Sequence, residues 1–120
     1  MLELECPPDL RAAAQAALAM RAVEDGHLTV ELVEEERIRE LNRAHRGVDA
    51  ATDVLSFPVD GAGPAAGPRE LGDVVICPAH TADLEEATVH GVLHLLGMDH
   101  ETDDGAMLAL QERILAGLRG

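Results

Sequence analysis

The sequence predicts an α+β fold in which a small mixed sheet of four strands packs against helices. Short apolar stretches with a period of two alternate with stretches of helical period, in the order β-α-β-α-β-β-α-α. The chain has 120 residues, 47% of them hydrophobic, which suits one domain with a core of its own. We find no internal repeat, and we therefore expect residues 1–120 to form a single domain.

The first strand and helix are predicted near the start of the chain. Residues 2–6 alternate apolar and acidic side chains, a pattern typical of a half-buried strand. Asp9, after two prolines, is expected to cap an alanine-rich helix that runs to about Glu24. A second strand is predicted at 27–33, where Leu28 starts a new alternation.

A second helix follows, and its charges indicate both of its ends. Three consecutive glutamates at 34–36 predict the start, and Arg43, His45 and Arg46 predict the end. Acidic groups at the start of a helix and basic groups at its end are favoured by the helix dipole. Gly47 is expected to adopt a left-handed conformation directly after the helix.

The second half of the chain predicts two strands and then helices. The strands are expected at 54–59 and 71–77, separated by a Gly/Pro-rich loop. A short helix is expected from Ala79, and an apolar helix from about Thr88 to Leu96. Thr102 is expected to cap a last helix. Four of its apolar side chains share one face: Met107, Leu110, Ile114 and Leu118.

Charge and composition exclude several classes of function. All 9 basic residues are arginines, and 23 acidic residues bring the net charge to −14, which opposes general binding to nucleic acid or anionic membranes. Phe57 is the one aromatic residue, so a platform of aromatic rings for nucleobases is excluded. Cys6 and Cys77 are too few for a disulfide framework, and no apolar run reaches the roughly 18 residues of a membrane span. We expect a cytoplasmic protein.

The clearest chemical signal is a group of three histidines. His90 and His94 lie four residues apart on a predicted helix, so both imidazoles leave the same face. Gly97 allows a sharp turn that brings His100 back towards them. Three neutral histidines can hold a metal ion and leave a fourth position open, as a catalytic zinc site requires. The alternative, surface or capping histidines, fits poorly with the leucines around them.

The same spacing occurs in zinc proteases of the pattern H-E-x-x-H-x-x-G-x-x-H. In this chain Gly91 occupies the position of the general-base glutamate. The spacing therefore favours a zinc-type site that performs a different reaction, and a small metallopeptidase stays an alternative. A second alternative is a non-catalytic ribosome assembly factor, which the acidic composition would suit.

Three further segments carry a family resemblance. Residues 42–47 (Asn-Arg-Ala-His-Arg-Gly), 52–58 (Thr-Asp-Val-Leu-Ser-Phe-Pro) and 71–76 (Leu-Gly-Asp-Val-Val-Ile), together with the histidine motif, resemble the YbeY family of bacterial rRNA-maturation endoribonucleases. The resemblance implies a zincin-like fold with the metal-binding helix near the C-terminus. It also implies metal-dependent hydrolysis of RNA in 16S rRNA 3′-end maturation and ribosome quality control.

The resemblance also implies roles for individual residues. His90, His94 and His100 match the family's metal ligands, and Arg46 matches its functionally important arginine. The implied cofactor is one Zn²⁺ per chain, with Ni²⁺ as another candidate. The implied partners are rRNA and the small ribosomal subunit with its proteins, without membrane or DNA. Arg46 can clamp a phosphate through two parallel hydrogen bonds, although a cation closing the helix is the simpler interpretation from the residues alone.

The remaining expectations concern the surroundings of the site. Five arginines are expected to form a cationic rim beside the metal: Arg37, Arg39, Arg43, Arg46 and Arg69. Asp73, inside an apolar strand, is expected to be ion-paired. Ser56 and Asp53 are expected to hold their strand beside the metal. The twelve residues between Cys77 and His90 predict that the helix before the metal-binding helix is truncated.

Overall fold

The computed structural model describes residues 2–59, 70–98 and 105–119. The elements are β1 (Leu2–Glu5), α1 (Arg11–Met20), β2 (Gly26–Leu32), α2 (Glu35–Arg46), β3 (Val54–Pro58), β4 (Glu70–Ile76), α3 (Leu84–Leu95) and α4 (Ala106–Arg119). Single 3₁₀ turns at Pro8–Leu10 and Pro78–His80 precede α1 and α3. The predicted order of strands and helices is confirmed, and each strand lies within two residues of its predicted bounds.

The four strands form one mixed sheet in the order β1-β2-β4-β3. β1, β2 and β4 run parallel, and β3 pairs with β4 in the antiparallel sense. This confirms the predicted α+β class with a small mixed sheet. β3 lies at one edge of the sheet, so its outer side is available to line a groove.

Helices cover the two faces of the sheet unequally. The larger core lies between one face and the helices α1, α3 and α4, which also pack against one another. A smaller core on the other face joins α2 to β3 and β4 through Ile38, Leu55, Val75 and Cys77. The sheet thus holds the end of α2 and the helix α3 on either side of β3. None of the described helices is long and apolar enough to cross a membrane.

The first helix differs from its prediction at both ends. Asp9 lies inside the 3₁₀ turn that precedes α1, and no side chain caps the helix. α1 ends at Met20 because Ala22 turns away in a left-handed conformation with φ of 56°. The predicted extension to Glu24 and the predicted cap at Asp9 are therefore wrong. Nothing in the sequence marks this end, because alanine favours helix at every position of the alanine-rich stretch.

The helix that carries two of the candidate ligands is longer than predicted. α3 begins at Leu84 rather than Thr88, because the Asp83 carboxylate accepts a hydrogen bond from the Glu86 N–H and caps the first turn. The connection from β4 is reduced to the 3₁₀ turn, in agreement with the predicted truncation. Gly97 has φ of 96°, as its predicted turn requires. The predicted cap at Thr102 lies outside the described residues.

Candidate active groove

An open groove of about 810 Å³ runs along β3 between the end of α2 and the helix α3. Its walls come from three parts of the chain. They comprise His45 and Arg46 from α2, residues 52–58 from β3 and the loop before it, and His90 and His94 from α3. The groove therefore brings together three of the four site residues predicted from the sequence: Arg46, His90 and His94. The fourth, His100, lies outside the described residues.

The two α3 histidines form a convergent pair. The ring centroids of His90 and His94 are 4.7 Å apart, with their planes inclined at 74°. Both side chains are half-buried at the groove, whereas Val92, on the opposite side of the helix, is fully buried. The spacing of four residues thus gives the shared face that the sequence predicts.

These two imidazoles fit two nitrogen ligands of a single metal ion. Imidazole nitrogens are donors of the type that zinc and nickel accept, and these two rings leave the same helix face towards the same groove. Within residues 2–59, 70–98 and 105–119, no three His, Cys, Asp or Glu side chains converge as a complete set of ligands. Completing the set from this chain requires a residue outside the described ranges, and the sequence names His100.

The packing of α3 against the sheet explains the glycine between the two histidines. A Cβ atom on Gly91 would lie 2.5 Å from Val74 Cγ1 and 3.0 Å from Val54 Cγ2, too close for any side chain. The Ser56 hydroxyl donates a 2.7 Å hydrogen bond to the Gly91 carbonyl oxygen. Position 91 therefore faces the sheet. The glutamate that the zinc proteases carry at this position has no room here.

Arg46 is the last residue of α2, and its exposed side chain lines the groove. Gly47, with φ of 71°, ends the helix as predicted and turns the chain towards β3. No carboxylate among the described residues pairs with Arg46. The guanidinium therefore keeps its hydrogen-bond donors available to an anion in the groove.

The expected rim of five arginines is wrong for three of its members, Arg37, Arg39 and Arg43, which do not line the groove. Arg37 pairs with Glu40 at 3.6 Å, and Arg39 pairs with Asp49 at 2.8 Å. The hydrogen bond from Arg39 lowers the pKa of the Asp49 carboxyl. Neither arginine lines the groove, because α2 turns both towards its own acidic neighbours.

Besides the two ion-paired arginines, the expected rim has three members, of which Arg69 lies outside the described residues. Arg43 lines a separate surface depression on α2, beside Glu40 and Asp49. Among the described residues, Arg46 is thus the arginine that the groove contains.

The other histidines lie at different places. His45 lines the groove and packs its ring against Phe57, with centroids 4.7 Å apart. His80 lies 3.3 Å from a carboxylate oxygen of Glu35 on α2 and is not part of the groove wall. His27 lies within the sheet, away from the groove lining.

The polar residues around β3 behave largely as expected. The Asp53 carboxylate accepts hydrogen bonds from the Val54 N–H at 2.8 Å and from the Thr52 hydroxyl at 3.2 Å, so it holds the start of the strand. Ser56 ties the strand to α3. Asp73 does not pair with a cation among the described residues, contrary to expectation. It is half-buried on the sheet, so water can solvate its carboxylate.

Sequence reasoning missed one residue beside the site. Gln111 of α4 is buried, and its Oε1 lies 2.8 Å from Nδ1 of His90. The signal was present in the sequence: Gln111 falls on the buried stripe of α4 between Met107 and Ile114. A lone amide in an apolar stripe indicates a specific partner, because a buried polar group without a hydrogen bond is costly.

The sequence matches those of known proteins over most of its length. The sequence model of the family described as Endoribonuclease YbeY matches residues 8–119. Endoribonuclease YbeY of Rubrobacter xylanophilus is 49% identical over 98 residues, which cover 79% of this chain and 70% of the relative. Endoribonuclease YbeY of Moorella thermoacetica is 43% identical over 126 aligned positions, which cover 87% and 81%.

A solved structure agrees with the fold. The solution structure of TM1509 from Thermotoga maritima superimposes with a TM-score of 0.56 at 27% sequence identity, covering 95% of this chain and 86% of that one. Both the sequence match and the structural match extend over most of the chain. The chain therefore belongs to the YbeY family of endoribonucleases.

Proposed function

We propose that the groove along β3 is the place where this chain cleaves RNA. The chain is a metal-dependent endoribonuclease of rRNA processing, as its family membership over residues 8–119 implies. The observation that carries the assignment of the groove is the meeting of Arg46, His90 and His94 on its walls. We further propose that the RNA is the 3′ end of 16S rRNA and that residues 1–120 act as one catalytic domain.

The proposed metal ligands are His90, His94 and His100. The first two are supported by their convergence on one face of α3, and the third by its position in the sequence motif. We propose one Zn²⁺ per chain, with Ni²⁺ as the next candidate, because three imidazoles suit both ions. When bound, such an ion supplies an acidified water as nucleophile and a Lewis acid for a phosphate oxygen.

The proposed role of Arg46 is to bind and orient the phosphate that is cleaved. Its guanidinium presents paired N–H donors that match two phosphate oxygens, and no described carboxylate competes for them. Such donors are most effective where negative charge grows in the transition state. Gly47 ends α2 in a defined left-handed turn, which fixes the backbone position of Arg46 directly before it.

The edge of β3 gives a reason to prefer RNA over a peptide as the substrate. The backbone carbonyl oxygen of Asp53 accepts a hydrogen bond from the Cys77 N–H, and the Val59 N–H donates to the carbonyl oxygen of Leu71. Because backbone groups alternate in direction along an antiparallel strand, residues 54, 56 and 58 of β3 point theirs away from β4. Of these, Val54 already gives its N–H to the Asp53 side chain, and Pro58 has none. The described strand thus offers one outward donor, at Ser56, which is poorly suited to the strand addition that binds extended peptides.

The acidic composition suggests how the enzyme engages the ribosome. With a net charge of −14, the chain as a whole repels RNA, so the groove has to supply local attraction. We propose that proteins of the small ribosomal subunit provide the rest of the affinity, because basic partners complement an acidic body. We also propose a cytoplasmic location, where ribosomes mature and where the free thiols of Cys6 and Cys77 stay reduced.

The decisive experiment compares two arginines of the last turn of α2. Arg46→Ala is expected to lower kcat for cleavage of a single-stranded RNA about 10²–10³-fold, in line with the loss of one transition-state donor. Its zinc content, measured by atomic emission, should equal that of the parent. Arg43→Ala, outside the groove, should change kcat less than about twofold.

Chelation and readdition of Zn²⁺ or Ni²⁺ complete the experiment. Cleavage by the parent should stop with chelator and return with the ion that the enzyme uses. Equal cleavage by the parent and by metal-loaded Arg46→Ala would overturn the role of Arg46, and cleavage that persists after complete removal of metal would overturn the metal site.

A further inference from the structure

We propose that Gln111 is a positioning residue that holds His90 in the tautomer which metal binding at the groove requires. The inference rests on the proposed function, because it takes His90 as a metal ligand. It adds α4, an element that contributes no residue to the groove lining, to the machinery of the site.

The contact itself defines the proton position. Gln111 Oε1 lies 2.8 Å from His90 Nδ1, and a carbonyl oxygen can only accept a hydrogen bond. Nδ1 therefore carries the proton. A neutral imidazole has one N–H, so Nε2, on the opposite side of the ring, is the unprotonated nitrogen, the form in which it can bind a metal ion.

The opposite orientation of the amide would have the opposite effect. With the amide NH₂ facing the ring, Gln111 would donate to Nδ1 and place the imidazole proton on Nε2. A protonated Nε2 cannot bind a metal ion. Metal binding at Nε2 of His90 is thus compatible with one orientation of Gln111, and the structure has that orientation.

The surroundings of Gln111 show that packing alone does not require an amide. It is 7% exposed, and its neighbours on the buried stripe of α4 are Met107, Ile114 and Leu115. An apolar side chain of similar size would fill the same space without the cost of burying an amide. The gain that offsets this cost is the hydrogen bond to His90.

The ends of α3 and α4 are also tied together, which keeps this bond in place. Arg119 of α4 donates to the Asp83 carboxylate, which caps α3, with Nη2 and Oδ2 2.5 Å apart. Arg119 also lies 3.6 Å from Glu85 in the first turn of α3. With this tie at one end, α4 cannot slide along α3 without breaking an ion pair, so Gln111 stays opposite His90.

The test uses two substitutions at position 111 and a matched control on the same helix. Gln111→Met keeps the length of the side chain and removes the acceptor, whereas Gln111→Glu keeps an acceptor. Leu115→Met changes another buried residue of α4 and leaves the hydrogen bond intact. The tautomer of His90 is read in the metal-free proteins from the ¹⁵N shifts of the imidazole nitrogens, and zinc affinity is measured by competition with a chromogenic chelator.

The parent should hold His90 with the proton on Nδ1. Gln111→Met should shift the proton towards Nε2 and raise the Kd for zinc about 10–100-fold, the usual effect of losing such a partner. Gln111→Glu should restore the Kd to within about threefold of the parent, and Leu115→Met should leave both the tautomer and the Kd unchanged.

Two outcomes would overturn the inference: a metal-free parent with the His90 proton mainly on Nε2, or a Gln111→Met protein with the zinc affinity of the parent. If Gln111→Met did not fold, the tautomer of the parent would decide alone. The proposed function fails on a different result. A parent that binds zinc but does not cleave RNA would contradict the nuclease site and leave the role of Gln111 standing.

Discussion

The Ser56 hydroxyl donates a 2.7 Å hydrogen bond to the backbone carbonyl oxygen of Gly91, and this bond joins the edge strand β3 to the helix α3. Gly91 stands directly after His90 and three residues before His94. The strand that lines the groove and the helix that carries the candidate ligands are therefore held at one distance from each other. Four predictions follow from this arrangement and from the ion pairs around it.

Gly91→Ala should destabilise the protein although alanine is the better helix former. Its Cβ would lie 2.5 Å from Val74 and 3.0 Å from Val54, and overpacking of this kind costs about 1–3 kcal/mol. The measurement is the free energy of unfolding in urea. Gly117→Ala in α4 is the matched control, because a Cβ there meets open space and should stabilise by up to about 1 kcal/mol. Equal effects at the two positions would contradict the close packing of α3 on the sheet.

Ser56→Ala should remove the bond to Gly91 and cost about 0.5–1.5 kcal/mol of unfolding free energy. It should also lower RNA cleavage several-fold, because β3 and α3 lose a fixed separation. Thr88→Ala removes a similar hydroxyl-to-carbonyl bond, from Thr88 to Leu84 at 2.8 Å, and neither residue lines the groove. The control should lose comparable stability and keep its cleavage rate. If both variants cleaved RNA at the parent rate, Ser56 would have no role in aligning the site.

Asp83→Asn should lower the free energy of unfolding by an amount that depends on pH. The hydrogen bond from Arg119, with the backbone bond from Glu86, lowers the pKa of Asp83 below its ordinary value. Its stabilising effect is therefore complete above the ordinary pKa of about 4 and is lost as the pH falls through the lowered value. Asparagine retains the cap, so the difference in urea midpoint between parent and variant isolates the ion pair. We expect about 0.5–1 kcal/mol at pH 7, shrinking towards zero in acid, and a pH-independent difference would contradict this.

His27→Gln should lower the free energy of unfolding mainly at acidic pH, the opposite of the pH dependence expected for Asp83→Asn. Nδ1 of His27 lies 2.7 Å from Glu70 and Nε2 lies 3.2 Å from Glu5, so the imidazole, in its charged form, is an ionic bridge between β1, β2 and β4. The hydrogen bond to Glu70, with a smaller contribution from Glu5, raises the pKa of His27 above its ordinary value.

A raised pKa gives stability that is complete below the ordinary value of about 6.5 and is lost as the pH rises through the value in the folded protein. The difference in unfolding free energy between parent and His27→Gln should therefore be about 0.5–1 kcal/mol near pH 5 and fade at alkaline pH. Measurements from pH 5 to pH 9 check it. A difference that grows with pH would show that His27 does not carry the charge of this bridge.

The sequence by itself determined the order of the elements, the end of α2 at Gly47 and the shared face of His90 and His94. Each of these depends on residues close together in the chain, because helical period, capping and charge at helix ends are local effects. The metal ligand set with His100 and the catalytic role of Arg46 stay predictions from motifs. The sequence also showed the family resemblance, because several motifs in a fixed order identify a family even though each motif alone is ambiguous.

Tertiary structure decided the features that depend on residues far apart in the sequence. Gln111 meets His90 across 21 positions, and Gly91 is confined by Val74 and Val54. Local sequence patterns cannot predict such contacts, because the contacts form only when α3 packs on the sheet and α4 packs on α3.

The expected arginine rim failed for the same reason. A count of cations along α2 cannot show that Arg37 and Arg39 face Glu40 and Asp49, whereas Arg46 faces the groove. Which charges remain available to a substrate depends on the partners that the fold supplies. The sequence thus indicates the type of chemistry, metal-dependent hydrolysis. The packing of α2, α3 and α4 around β3 determines which residues can carry it out.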